Sequence, residues 1–528
     1  MNTHALSPDI IPAEIVVGVT GTRRLPDDPA LAEQVAGVLT RLPDLLPSLP
    51  TTPVRLVALS PLAEGADRLV AREVLATPDG ALEVVLPLGK DDYLTDFSSA
   101  ESRQDFMNLL ARARRASHVT PTQQRPQAYA QVGQHVIEHC DVLIAVWDGR
   151  PAAGTGGTAE IVQYARELGR PIFWINTDEE NRLTEEPGQG LNQTSFEQID
   201  RYNREAISGA SVRHGSQGFR DHVESTADAV GLDRDDLSGT IDQLVPHFVR
   251  ADLLALRYQR RYQLAGTTIY SLAAISVAMS AFQVLWHENQ AIGFVSAAGE
   301  LMFMFVILWL LWRGAKKKWH SKWIDYRFLA ERLRTAFFMH VAGVQIAPTQ
   351  PPRYLSLSYS ATDWMVAAFR AACGAAAGVP ASASAERQAF VRRAWIADQL
   401  AHHRKGSERS HRAHTRLSTI GNALFGLTFA GAALHFLPGN PEAVLSWVTI
   451  TFPAFGGALA AIRTHREYHR ISARSAEMAN HLSDIEERLR GISDSQEFRA
   501  LLREAEEVMA NENADWRVVV RFHELEAA

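Results

Sequence analysis

Three glycine-bearing turns, each following an apolar run, hold the residues of this chain best suited to grip an anion. The fullest begins with Cys140-Asp141-Val142-Leu143-Ile144-Ala145-Val146-Trp147-Asp148-Gly149 and continues into Gly154-Thr155-Gly156-Gly157-Thr158-Ala159-Glu160. An apolar strand there gives way to a glycine-rich turn that opens a helix, a layout that sets backbone N–H groups and a positive helix end against a phosphate. The amides from Gly154 to Thr158 and the hydroxyls of Thr155 and Thr158 are the expected phosphate cradle. A second turn, Gly21-Thr22-Arg23, offers a planar guanidinium that donates bidentately to phosphate oxygens. The third, Ser60-Pro61-Leu62-Ala63-Glu64-Gly65-Ala66-Asp67, adds Ser60 and two carboxylates. Glu64, Asp67, Asp148 and Glu160 are suited to ribose hydroxyls or to assisting cleavage of a glycosidic bond. The competing reading is that the glycines only make tight turns, while Asp67 and Glu160 cap helices.

The elements that must position these turns follow from the hydrophobic pattern. Strands are expected at Ile15–Thr20, Val54–Leu59, Leu82–Leu86, Val142–Val146 and Pro171–Ile175. Helices are expected near Pro29–Leu42, Arg68–Leu75, from the polar stretch Asp91–Ser102 to about Ala116, at Ala128–His139 and at Ala159–Leu168. Alternating strands and helices predict an α/β doubly wound, Rossmann-like parallel sheet. Ligands of such sheets sit at the carboxyl ends of the strands, so all three turns should converge on one edge. Thr177–Gln193, with Pro187 and glycines, reads as a loop, and Ser195–Arg261 as charged helix.

Composition narrows the class. The chain has 528 residues, 46% of them hydrophobic and 21% charged, close to globular averages. A net charge of −7 argues against nucleic-acid binding. The two cysteines, Cys140 and Cys373, have no metal or redox spacing, so neither a metal site nor a bound cofactor is expected. Met1 to Ala13 lacks the basic and apolar regions of a secretory signal.

The three turns, together with Tyr129…Gly133 before the strand at Val142, resemble the SLOG superfamily, named for DNA-processing Smf and cytokinin-activating Lonely Guy proteins. The resemblance covers about Ile15 to Ile175 and implies a domain at 1–180 that binds a nucleotide-derived ligand. Lonely Guy hydrolases carry Pro-Gly-Gly-x-Gly-Thr-x-x-Glu, whereas this chain has one residue fewer between Thr158 and Glu160. That deletion turns the carboxylate by about 100° around the helix. Binding without turnover, and no catalytic residue, is the expectation.

Downstream, after a helical linker at 181–250, four apolar runs reach the roughly 20 residues needed to cross a bilayer. They fall at 264–286 and 291–312, and at 417–437 and 443–462, in modules 251–345 and 391–528 joined by a connection at 346–390. Basic clusters flank each pair only on its outer sides. They are Arg257, Arg260 and Arg261; Arg313 and Lys316 to Lys318; Arg404, Lys405, Arg409, Arg412 and Arg416; and Arg463, Arg466 and Arg470. The positive-inside rule then predicts a multi-pass protein with both termini cytoplasmic. Glu300 lies inside the second run, where an ionised carboxylate costs on the order of 3 kcal/mol, so it is a candidate for a transmembrane pathway or a polar helix contact.

The two pairs look like a repeat, each with a basic lead-in helix, two spans and a charged helix out. Trp323–Arg334 follows the first pair and Arg474–Arg490 the second. This arrangement resembles the SLATT family of two-transmembrane effector modules. The resemblance implies a bacterial inner-membrane effector of antiphage defence, acting as a homo-oligomer in the lipid bilayer and gated by a nucleotide-derived second messenger. The alternatives are a membrane-anchored nucleotide phosphoribohydrolase or N-glycosidase, and a non-conducting nucleotide-binding scaffold.

Overall fold

The computed structural model describes residues 9–25, 28–119, 124–151, 156–285, 290–344, 364–374, 384–492 and 494–520. The chain divides into two compact units. The first contains β1 (Ala13–Gly21), α1 (Pro29–Arg41), β2 (Val54–Ser60), α2 (Ala66–Ala76), β3 (Ala81–Leu86), α3 (Lys90–Tyr93), α4 (Ala100–Arg112) and β4 (Arg115–His118). It continues with α5 (Arg125–His139), β5 (Val142–Trp147), α6 (Thr158–Glu167), β6 (Ile172–Asn176), β7 (Arg182–Glu186) and α7 (Gln193–Asn203). The strands form one sheet in the order β4-β3-β2-β1-β5-β6-β7. All pairs are parallel except β6–β7. The doubly wound parallel sheet expected from the sequence is the observed architecture.

The side-chain alternation of a pleated strand explains why this sheet is covered on both faces. Ile15, Val17 and Val19 of β1 join Val142, Ile144 and Val146 of β5 in a core shared with Leu31 and Val35 of α1 and Val70 of α2. Val16, Leu143 and Ala145 point the other way, onto Val132 and Val136 of α5 and Ile161 of α6. Each of these larger side chains contributes about 1.5–3 kcal/mol by leaving water.

Two strands were not legible in the sequence. The helix expected to reach about Ala116 ends at Arg112, and β4 follows it as an edge strand registered on β3, Glu83 opposite Arg115. Thr177–Gln193, read as a loop, contains β7, antiparallel to β6. Arg-Ala-Ser-His and Arg-Leu-Thr-Glu-Glu carry the charges that protect sheet edges, so neither shows an apolar period.

The second unit is helical: α8 (Gly209–Asp228), α9 (Asp235–Leu285), α10 (Gln290–Lys317), α11 (Trp319–Val341), and, beyond α12 (Trp364–Cys373), α13 (Ala385–Val391), α14 (Asp398–Leu434), α15 (Glu442–His465), α16 (Tyr468–Arg490) and α17 (Ser495–Val520). The stretch Gly239–His247 of α9 and helix α12 cluster with the first unit instead. A π-helical turn, Arg392–Ala397, joins α13 to α14. Among the described residues four helices are long and apolar enough to cross a membrane, one at each of the four runs read from the sequence. The lead-in helices continue unbroken into the spans, making α9 51 residues long and α14 37. Phe305 and Leu308 on α10, and Phe425 and Phe429 on α14, lie exposed, as lipid-facing side chains do.

The hairpins α9–α10 and α14–α15 share a backbone device. Each second span meets its exit helix at a non-glycine residue in the left-handed region, Lys318 (φ 50°) before α11 and Glu467 (φ 52°) before α16. Such a residue costs about 1–2 kcal/mol and is retained only where the geometry demands it.

Candidate functional site at the carboxyl edge of the sheet

Strand β1 feeds leftward to β2, while β5 lies on its other side, so the winding reverses between β1 and β5. This is the topological switch point, where the loops leaving two adjacent strands part and open a crevice. Gly21 ends β1 opposite Val146 of β5, and the Thr22 N–H donates to the Val146 carbonyl at 2.9 Å. The turn after β2 closes onto the same place, with the Ala66 N–H donating to the Thr22 carbonyl at 3.2 Å. Gly65, at φ 81°, caps α2 there, and a Cβ on it would fall 2.2 Å from the Thr22 oxygen. Only glycine fits.

Asp67 sits in the first turn of α2, buried, accepting the Ala63 N–H at 3.1 Å. Burial pushes its carboxyl up to about 7, against the Ala63 N–H and the charges of Arg23 and Arg68, which pull it down. A carboxyl held partly protonated at neutral pH can donate to a phosphate or ribose oxygen, which an ionised one cannot. Ser60 is fully buried and accepts the Leu62 N–H at 3.0 Å, supporting a turn in which Leu62 itself adopts φ 58°. Glu64 accepts a hydrogen bond from the Ser102 hydroxyl.

Arg23 is exposed, its guanidinium 5.4 Å from the centroid of the Tyr129 ring on α5. The Tyr129 hydroxyl donates to Asp96, which also pairs with Arg125 at 2.5 Å. Tyr93 is buried within reach of these charges, and burial raises its phenol well above the ordinary range. Beside it, Arg68 is held by the Leu62 carbonyl at 3.1 Å and by Ser102 at 3.0 Å, leaving one buried nitrogen without a hydrogen-bond partner.

The third turn meets the first two at Tyr129. Gly156, at φ 79°, lies so close to α5 that a Cβ would stand 2.8 Å from the Ala130 nitrogen. Gly157 is the N-cap of α6 and supplies no side-chain cap, so the helix end is left for another acceptor. Thr158 opens the helix, half-buried. Glu160 turns back to accept the Gly156 N–H at 2.7 Å, a capping role that occupies one carboxylate oxygen. Asp148 accepts the Arg150 N–H at 3.0 Å on the β6 side. Gly154 and Thr155 lie outside the described residues. The structure therefore gathers Gly21, Thr22, Arg23, Gly65 and Asp67 around one end of α5, with Gly156 and Gly157 on its other flank. Tyr93, Asp96 and Arg125 were missed in the sequence, where they fall in stretches with no strand-turn-helix pattern, and Arg68, the first residue of an expected helix, was not singled out. Glu300 belongs elsewhere, on α10, accepting the Ser280 hydroxyl at 3.2 Å.

A doubly wound sheet and, among the described residues, four membrane-length helices define a membrane protein with an α/β unit. Residues 392–516, from the π turn through α14, α15 and α16 into α17, match the family described as SMODS and SLOG-associating 2TM effector domain 1. The chain has no match among curated proteins.

Proposed function

We propose that this protein is a ligand-gated membrane effector of bacterial antiphage defence. Its SLOG-like α/β unit senses a nucleotide-derived anion, and its spans permeabilise the inner membrane in response. The observation that carries the reading is the occurrence, in one chain, of an effector-domain match on the second hairpin and a topological switch point with Arg23 and the glycine-capped start of α6 beside it. In the crevice, Arg23 and the α6 terminus supply positive potential for phosphate, while Asp67 supplies a proton to share. A ligand opens such a protein only by binding the open arrangement more tightly than the closed one. Four spans per chain enclose little space, so the conducting form is a homo-oligomer. The basic flanks favour a cytoplasmic position for both termini and the α/β unit.

The test is dye release from liposomes holding the full-length protein. The probes are AMP, NAD and a small-molecule filtrate of phage-infected cells. Release with at least one probe is expected, and no release with any of them contradicts gating. Reporter tags at the N-terminus, within 346–390 and at the C-terminus should all report cytoplasm, and a periplasmic signal at 346–390 overturns the four-span topology.

A further inference from the structure

We propose that Glu300, Ser280, Ser276 and Thr451 form a binding site for a monovalent cation inside the membrane part, where α9, α10 and α15 meet. Its use as a step in an ion path rests on the permeabilising function above; the binding itself does not.

The helix register sets these residues within about one turn of a common depth. Glu300 of α10 accepts the Ser280 hydroxyl of α9 at 3.2 Å, and a side chain on neighbouring Gly299 would strike Met279. Ser276 stands one turn from Ser280 on the same face of α9. Two residues further along α9, the Ala278 carbonyl accepts the Trp447 indole N–H of α15 at 3.1 Å. Toward the cytoplasm, a side chain on Gly266 would strike His465. The two helices are thus antiparallel, and Thr451, one turn past Trp447, is level with Ser276. Glu300 lies about 15 Å along α10 from its outer end, near the bilayer centre.

The hydroxyls are the independent signal. Thr267, Thr428, Thr449 and Thr464, in the same spans, each donate to a carbonyl one turn back, at 2.8 to 3.0 Å. Ser276 and Thr451 do not, although they are 9% and 1% exposed and their oxygens have no hydrogen-bond partner. A hydroxyl without a partner in hydrocarbon costs more than in water-exposed protein. Cation coordination repays that cost, because it uses hydroxyl lone pairs and balances the Glu300 charge. One carboxylate with neutral oxygens suits sodium or potassium; a divalent ion demands more charge.

The decisive experiment is the melting temperature of the full-length protein in detergent, in KCl, NaCl or choline chloride at equal ionic strength. A potassium or sodium salt should raise it by about 2–4 °C over choline. Glu300→Gln and Thr451→Val should each abolish that gap. Thr451→Val keeps the volume and removes only a hydroxyl, so it serves alone if Glu300→Gln fails to fold. Equal melting in all three salts, or a gap that survives Thr451→Val, overturns the site whether or not liposomes leak. A gap abolished by the variants upholds it even if they do not leak.

Discussion

The two ends of the same sheet treat buried carboxylates in opposite ways. At the amino edge, Arg114 donates to Glu14 at 2.6 and 2.9 Å and to Glu83 at 3.0 and 2.6 Å. Arg370, carried by α12, stands 3.9 and 4.0 Å from the same pair. Burial acts to raise both carboxyls, and the guanidinium groups outweigh it, holding Glu83 down to about 2 and lowering Glu14. At the carboxyl edge Asp67 is equally buried, and one backbone donor with the charges of Arg23 and Arg68 does not offset it, so burial wins. A closed, neutralised cluster fastens elements together, whereas a carboxyl left near 7 is one whose charge a ligand can still change.

The largest expected effect tests the fastening role. Arg114→Leu removes four hydrogen bonds from two buried carboxylates and should cost about 3–5 kcal/mol, read as earlier unfolding of the α/β unit by hydrogen exchange. A loss below about 1 kcal/mol would erase the contrast between the edges.

The pH dependence of stability sharpens it from the other side. The Asp67 carboxyl stays protonated in the folded protein where the unfolded chain has already ionised. Its contribution is therefore fully present below about pH 4 and lost as the pH rises through about 7, a total of about 4 kcal/mol. Asp67→Asn should remove that component, so the stability difference between variant and parent should change across about pH 4 to 7 and level off above it. A constant difference would mean that Asp67 titrates in the ordinary carboxylate range.

A smaller effect is expected at the α6 terminus. Gly157→Asp supplies a side-chain N-cap, worth about 0.3 kcal/mol to the helix, while placing a carboxylate where the anion should dock. Anion affinity should fall at least tenfold with the melting temperature held or raised. Unchanged ligand stabilisation would move the site away from α6.

Much of this was legible because long-period signals survive in sequence. The strands β1, β2, β3, β5 and β6 are apolar runs, and the four spans are longer still. The edge strands β4 and β7 were illegible because they are polar by necessity. The docking of α12 onto the first unit was hidden too. Nothing local to Trp364 announces its tilted ring contact with Tyr202 at 5.6 Å, or that Arg370 belongs with Glu14, more than three hundred residues away. At the site, the turns announced Gly65 and Asp67 through their spacing. Tyr93, Asp96 and Arg125 converge only through tertiary packing.

The central claim, that occupancy of the α/β unit drives the membrane response, is tested most directly by membrane potential in cells expressing the protein and challenged with phage. Wild-type cells should depolarise after infection, and cells with Gly157→Asp, inserted at equal levels, should not. Depolarisation of both alike, or of neither, would contradict the account.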